Sequence, residues 1–287
     1  MSKKIGDRRD AIKVRNVDGV HKIMVCLKPL RCDSDVYINE KIDVTDLVRF
    51  IKEKKKNDST YTFFHAFSMA LGKLVYNRPL LNRYVINRKF YDRRNISIGF
   101  VAKVAFEDHA KENLSVVTLD NKDTIENVKN KFLEKVNSVR GDKDNSTDAT
   151  ATLIGKLPQW LVNIVVWVLK KFDNFDILPH SITDDSIYHC SILVSNLGSI
   201  KCGAIYHNLT DFGTNSILVT IGEIRKETIV NDKGKSEIRD ICEFGVTCDE
   251  RIADGFYFAK SILLFKHIIS NPKLLDEPLE EKIEYET

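Results

Sequence analysis

The second half of the chain carries the pattern that most restricts its fold. Four segments rich in β-branched and apolar residues are typical of strands: residues 191–195, 216–224, 227–230 and 237–247. Residues 231–234 (NDKG) have the composition of a hairpin turn, and an apolar helical pattern over residues 255–270 stops before Pro272. Because strands joined by short turns pair antiparallel, we expect a largely antiparallel sheet here, followed by a helix.

The first half of the chain alternates between strand and helix patterns. Strands are predicted at residues 37–42, 84–86 and 96–106, and helices at residues 45–55, 62–76 and about 124–140. Residues 141–148 are polar and rich in helix breakers, which is typical of a loop or a short linker. Together the two halves predict a mixed α/β fold.

Residues 157–172 form the most apolar helical pattern of the chain. A helix that is apolar on most sides is usually buried, so we expect it in the core or in a contact between subunits. The alternative is a surface that binds a lipid-like acyl chain, a membrane face or a partner. Its apolar stretch, residues 161–169, contains Asn163 and falls short of the roughly 18 apolar residues that cross a bilayer.

Size and composition fit a folded chain with a sizeable core, since 43% of its 287 residues are hydrophobic and 30% are charged. We expect a single domain over residues 1–287, with flexible tails at residues 1–10 and 277–287. Residues 1–10 are charged throughout, unlike a signal peptide, so we expect a cytoplasmic protein without a membrane span. The six cysteines form no C-x-x-C pair and no zinc-type spacing with histidine, which favours reduced, mostly buried thiols and no metal.

Residues 83–94 mix basic and aromatic side chains. This mixture suits single-stranded nucleic acid, but it equally suits a cationic hairpin with Tyr84, Ile86 and Phe90 facing inward. A net charge of only +3 is too balanced for a protein dedicated to nucleic acid. We therefore predict no nucleic-acid partner.

Four short motifs follow one another along the chain: residues 42–45 (IDVT), 79–82 (PLLN), 195–198 (SNLG) and 249–255 (DERIADG). In this order they resemble the catalytic domain of the dihydrolipoyl acyltransferases of 2-oxoacid dehydrogenase complexes and, more distantly, chloramphenicol acetyltransferase. The spacing of 55 residues from Ser195 to Glu250 fits that family. The resemblance covers roughly residues 10–275 and is carried by all four motifs, since DERIADG alone would be a weak signal.

The resemblance implies a chloramphenicol acetyltransferase-like two-layer α/β sandwich, with a mixed sheet and flanking helices. It implies an acyltransferase that moves an acyl group between coenzyme A and a thiol, hydroxyl or amine acceptor, in a channel between two subunits of a homotrimer. Ser195 matches the serine that hydrogen-bonds the tetrahedral oxyanion. Asp254 matches the aspartate that braces the site through an ion pair. We expect no lipoyl or subunit-binding domain of the kind that accompanies this catalytic domain in complete acyltransferases.

One position departs from the family pattern, because Glu250 stands where the family has its general-base histidine. A carboxylate of ordinary pKa, about 4.3, is a weaker base than an imidazole of pKa about 6.5, although burial in a dry channel would strengthen it. Two interpretations follow. Either Glu250 is an altered base, or the site is silent, as in a pseudoenzyme, and the fold serves binding or assembly.

Other residues could complete such a site. His189 and His207 flank the SNLG strand in sequence and are alternative bases, whereas His65 and His267 lie in apolar helices and are predicted to pack. Candidate basic partners for Asp254 come from the N-terminal region: Arg15, Lys22 and Arg31. An arginine fits a carboxylate better than a lysine does, because its guanidinium can donate two parallel hydrogen bonds.

Overall fold

The computed structural model of the chain describes residues 4–103, 112–141, 155–231 and 233–285. The strands are β1 (Ala11–Lys13), β2 (Asp35–Asp43), β3 (Arg83–Ile86), β4 (Lys89–Arg93), β5 (Ile96–Lys103), β6 (Glu112–Leu119), β7 (Ile192–Asn196), β8 (Ile217–Val230) and β9 (Ser236–Asp249). The α-helices are α1 (Gly19–Leu27), α2 (Thr45–Asn57), α3 (Phe63–Asn77), α4 (Ile125–Gly141), α5 (Gln159–Asn174), α6 (His180–Thr183) and α7 (Gly255–Ser270). These elements confirm the predicted mixed α/β fold.

The larger sheet has six strands in the order β2-β9-β8-β7-β5-β6. The β8–β9 hairpin is antiparallel, as predicted, but β7 pairs parallel with both β5 and β8, which corrects the expected antiparallel arrangement. The reason is the connection between β7 and β8, because residues 197–216 form a long crossover and not a short turn. The two segments predicted at 216–224 and 227–230 form the single strand β8, with an irregularity between Ile221 and Ile224.

The main core lies between this sheet and one layer of helices. Helix α3 packs against α2, α4 and α7, which is why apolar residues surround it on most sides. Phe67 of α3 stacks on Phe244 of β9 with ring centroids 5.0 Å apart, and meets Phe265 of α7 edge-on at 5.4 Å. His65 of α3 is also buried, as predicted for a packing residue.

A second, three-stranded sheet has the order β1-β4-β3. Tyr84 and Ile86 lie on one face with Tyr91, whereas Phe90 lies on the other face with Val25 of α1. The sequence pattern had placed Phe90 on the same side as Tyr84. It lies opposite because the two-residue turn sets the pairing of β3 with β4, and Val85 is the direct partner of Phe90.

Some residues of both predicted tails pack against the rest of the protein. Asp7 and Arg8 are buried, and Leu279 is buried with its amide donating to the carbonyl of Asp123 at 2.8 Å. Residues 1–3 and 286–287, and the predicted loop at 142–148, lie outside the described residues. Strand β6 was not predicted, although its residues 112–119 alternate between polar and apolar types. It completes one edge of the large sheet.

Helix α5 forms where an apolar helix was predicted, but it is not buried. Asp173 is the only buried residue among its sixteen, and Trp160 and Trp167 are both largely exposed. The cysteines also differ in part from expectation, since Cys190, Cys242 and Cys248 are buried but Cys26 and Cys32 are exposed. None of the helices in the described ranges is both long and apolar enough to cross a bilayer.

Candidate functional site

The turn between β9 and α7 is built on a fully buried ion pair. Arg251 donates to both carboxylate oxygens of Asp249, from Nε at 2.8 Å and from Nη2 at 2.7 Å, and both residues are almost inaccessible to solvent. Nη1 of Arg251 also donates to the carbonyl of Lys28 at 2.9 Å. A two-pronged pair of this kind fixes the geometry of the turn and ties it to the segment that follows α1.

A second buried guanidinium faces the same carboxylate. Arg31 lies with Nε 3.9 Å from Asp249 Oδ2, and its Nη2 donates to the carbonyl of Gly213 at 2.9 Å. Burial lowers the pKa of Arg31, while the charge of Asp249 opposes that shift. Arg31, a predicted partner of Asp254, therefore pairs with Asp249 inside the protomer.

Glu250 projects from this turn toward the end of α1. Its side chain is 31% exposed and forms an ion pair with Nζ of Lys28. Its amide donates to the carbonyl of Ser34 at 2.9 Å. The carboxylate thus lies at the surface and pairs with Lys28, which no sequence pattern had singled out, whereas the adjacent Arg251 pairs with Asp249.

Asp254 is exposed and serves as the N-cap of α7. Its Oδ1 accepts the amide of Tyr257 at 2.7 Å, a contact worth about 1 kcal/mol to a helix. Within the described residues of one protomer it forms no ion pair, and Arg15 instead pairs with Asp7 at 3.1 Å. The bracing role predicted for Asp254 thus has no partner inside this protomer.

Ser195 lies far from Glu250 in the sheet. It stands in one row of paired residues that runs across four strands: Ser195, Thr220, Gly245 and Asn39. From Gly245 to Glu250 the chain advances five residues along β9, about 16 Å, and Ser195 is two strands, or roughly 10 Å, to the side. A single protomer therefore cannot bring the Ser195 hydroxyl and the Glu250 carboxylate onto one reacting group.

The face of the sheet that carries Ser195 is the one away from the helices. Val194 and Val219, the neighbours of Ser195 and Thr220 in sequence, point into the main core, so the alternation of a strand sends Ser195 and Thr220 the other way. The loop of residues 197–216 crosses this face and comes closest to the sheet at glycine positions. A Cβ on Gly245 would lie 2.5 Å from the carbonyl oxygen of Ile205, and one on Gly198 would lie 2.4 Å from that of Gly222.

His189 belongs to a buried polar cluster rather than to an open site. Its Nε2 lies 3.2 Å from Asp173 Oδ2, the same oxygen that accepts the amide of Gly213, and Asp173 Oδ1 pairs with Arg8 at 3.0 Å. Burial raises the pKa of Asp173, but the hydrogen bond from His189 and the charge of Arg8 outweigh it and leave the pKa lowered. This cluster anchors the C-terminal end of α5 to the body of the protein.

His207 lies at the same end of the sheet as Glu250. It is exposed, and the next residue, Asn208, donates to Asp35 Oδ2 at 3.0 Å. Asp35 is in turn the strand partner of Asp249. His207 therefore remains a candidate base by position, whereas His189 is engaged in structure.

The comparisons with known proteins agree with this architecture. Residues 179–276 match the family model for the 2-oxoacid dehydrogenases acyltransferase (catalytic domain). A probable dihydrolipoamide acetyltransferase from Listeria monocytogenes is 18% identical, with a TM-score of 0.59 over 91% of this chain and 95% of that one. The cubic core of the pyruvate dehydrogenase multienzyme complex is 12% identical, with a TM-score of 0.55 over 92% and 94%. A chloramphenicol acetyltransferase is 10% identical, with a TM-score of 0.51 over 91% and 99%.

These matches confirm the resemblance that the SNLG and DERIADG motifs predicted. The fold is that of the dihydrolipoamide acetyltransferase cores and of chloramphenicol acetyltransferase. The match to the acyltransferase family model extends from residue 179 through both motifs and all of α7 to residue 276. No curated protein matches the chain in sequence.

Proposed function

We propose that the chain is an acyltransferase that moves an acyl group between coenzyme A and a thiol, hydroxyl or amine acceptor, with Glu250 as its general base. The observation that carries this proposal is the buried Arg251–Asp249 pair. It holds the turn in place, and Glu250 projects from that turn to Lys28 at the end of α1. A turn held by a buried ion pair supports a functional role for Glu250, whose side chain projects from it.

The chemistry of such a site follows from the groups present. The Glu250 carboxylate takes the proton of the acceptor, whose heteroatom forms a bond to the thioester carbonyl carbon of the acyl-coenzyme A. The Ser195 hydroxyl donates a hydrogen bond to the resulting oxyanion. When the oxyanion collapses, the carbon–sulfur bond breaks, and the proton held by Glu250 passes to the departing thiolate.

This site requires two protomers, because Ser195 and Glu250 are too far apart within one. We therefore propose a homotrimer in which Ser195 of one protomer meets Glu250 of the next. An exposed apolar stripe on α1 supports this assembly, since Val20, Ile23 and Leu27 lie at helical spacing just before Lys28, the partner of Glu250. A neighbouring protomer would cover that stripe and enclose the carboxylate.

A second candidate function is a non-catalytic binding or assembly protein on the same fold. The observation that favours it is the ion pair between Lys28 and Glu250, which occupies one carboxylate oxygen. A base engaged in this way must first leave the lysine before it can accept a proton. The two functions differ in whether turnover depends on Glu250.

The test is the release of free thiol from acetyl-coenzyme A, with dihydrolipoamide, a small alcohol or a small amine as acceptor. We expect turnover by the unmodified chain and a loss of about a hundredfold in Glu250→Gln, which keeps the shape but cannot accept the proton. Glu223→Gln is the matched control, because Glu223 is 30% exposed and pairs with Arg225 in the same manner. Turnover that survives in Glu250→Gln would exclude this carboxylate as the base.

A gain-of-function variant gives an independent measurement of the same role. Glu250→His restores the imidazole of the family motif, so we expect it to raise the rate of thiol release about tenfold or more near neutral pH. No turnover by either protein with any of these acceptors, together with saturable binding of coenzyme A, would favour the non-catalytic function.

A further inference from the structure

Helix α5 presents an apolar stripe to solvent over its first half. Trp160, Ile164 and Trp167 follow one another at helical spacing and are 65%, 49% and 61% exposed. The side toward the protein is little better covered, because Asp173 alone is buried. Exposing two tryptophans on one face to water is unfavourable, so the stripe is a candidate binding surface.

The charged residues in the segment 155–172, which contains most of α5, are all positive. Residues 155–172 contain Lys156, Lys170 and Lys171 and no acidic residue, and the first carboxylate after them, Asp173, is buried against Arg8. Lys170 and Lys171 line a groove of about 460 Å³ with Arg88 from the β3–β4 turn. The one acidic residue of this groove, Asp211, accepts the amide of Arg31 at 2.7 Å. A surface of this sign complements an anionic partner and repels a second copy of itself.

We propose that α5 docks flat on the surface of an anionic phospholipid bilayer. Its residues match the chemistry of that interface, since tryptophan rings prefer the boundary between headgroups and acyl chains and lysines reach the phosphates. The helix has sixteen residues and its apolar stripe is only about 10 Å long, so it lies on the bilayer and does not span it. Acidic residues that follow α5 in sequence have partners of their own. Asp176 pairs with Arg9, and Asp184, beyond the helix, lies beside His180.

The chain offers a direct reporter for this contact, because Trp160 and Trp167 are its only two tryptophans. Intrinsic tryptophan fluorescence of the full chain therefore reports on α5 alone. On mixing with vesicles of phosphatidylcholine and phosphatidylglycerol we expect a blue shift of the emission and protection from acrylamide quenching. With phosphatidylcholine vesicles alone, or at high salt, both effects should be much weaker, because the attraction of the lysines is lost or screened.

Substitutions separate the apolar and the electrostatic contributions. Ile164→Glu places a carboxylate between the two tryptophans, so we expect co-sedimentation with anionic vesicles to weaken about tenfold. Lys156→Glu should also weaken it, whereas Lys156→Arg should not. The matched control is Ile238→Glu, since Ile238 is also an exposed isoleucine, 69% against 49% for Ile164, but lies on the β8–β9 hairpin. All three positions are exposed, and circular dichroism of each of the four variants checks that it has folded.

Three outcomes would overturn the proposal. The first is tryptophan emission and vesicle binding that do not respond to anionic lipid. The second is a blue shift that follows protein concentration without any vesicle, which would mean that another copy covers the stripe. The third is a free chain at low concentration whose tryptophans already resist acrylamide, which would mean that the chain covers the stripe itself.

Discussion

At the scale of single residues, the sequence identifies several charged groups of one motif in the described structure. It does not reveal which of these groups form ion pairs, or with which partners. Asp249, Arg251 and Glu250 are adjacent in sequence, yet Arg251 turns inward to Asp249 and Glu250 turns outward to Lys28. The motif identified which residue would stand at the base position. It gave no information on Lys28, which is more than two hundred residues away in the chain and has no distinguishing neighbour.

His65 is a residue whose burial has a measurable consequence. Burial, and to a smaller extent the charge of Lys129, lower its pKa from the ordinary value of 6.5 to about 4. The unfolded chain therefore binds a proton at higher pH than the folded one does. Stability is fully present above pH 6.5 and is lost as pH falls toward 4, by up to about 3 kcal/mol.

We predict that His65→Phe removes most of this pH dependence, since phenylalanine has no proton to bind and can pack beside Phe132. The measurement is the free energy of unfolding in urea at several pH values between 4 and 7. The control is His180→Phe, because His180 is exposed and should leave the slope unchanged. An identical slope in His65→Phe would show that other groups govern acid stability.

At the scale of elements, most helices and strands of the described ranges could be predicted from periodicity. Helix α3 and helix α7 were predicted almost to the residue, because apolar spacing and a following proline agree. The structure adds their N-caps, Thr62 and Asp254. Strand direction was not predictable in the same way. Whether β7 runs parallel to β8 depends on the path of residues 197–216, and local composition does not encode that path.

The loop that crosses the outer face of the sheet gives a prediction at this scale. Gly198 lies so close to the backbone of β8 that an added Cβ would meet the carbonyl oxygen of Gly222 at 2.4 Å and the Cα of Glu223 at 3.2 Å. Moving backbone atoms inside a sheet to make room for the Cβ costs free energy. We predict that Gly198→Ala lowers the free energy of unfolding by about 1–3 kcal/mol.

Urea denaturation measures this change, and Gly19→Ala is its control. Gly19 begins α1, and a Cβ built there has no neighbour within 4 Å. We expect Gly19→Ala to change stability little, so equal stability of both variants would contradict the close approach at Gly198.

At the scale of the whole molecule, the separation of Ser195 from Glu250 makes the proposed activity a property of an assembly. The sequence identified both residues but could not show that strand register holds them apart. If each site takes Ser195 from one protomer and Glu250 from the next, two inactive variants can complement each other. This complementation is a test that neither variant provides alone.

We predict that Ser195→Ala and Glu250→Gln chains, unfolded together and refolded in equal amounts, recover about a quarter of the unmodified rate of thiol release. That fraction is the chance that a random pair of neighbours supplies both intact groups. Mixing the folded variants without refolding is the control. Recovery near zero after refolding would place both residues of a site in one protomer.

The buried polar contacts around Asp173 link two regions that otherwise look unrelated. Asp173 accepts the amide of Gly213, the carbonyl of Gly213 accepts Arg31, and Arg31 faces the carboxylate that orders the DERIADG turn. Rotation of α5, or its movement away from the protein, would therefore break the hydrogen bond between Gly213 and Asp173. It would also weaken the contact that Gly213 makes with Arg31. Binding of another molecule to α5 should restrain the helix and slow amide hydrogen exchange at Gly213 and along the DERIADG turn. A contact at α5 would in this way affect the carboxylate of Asp249.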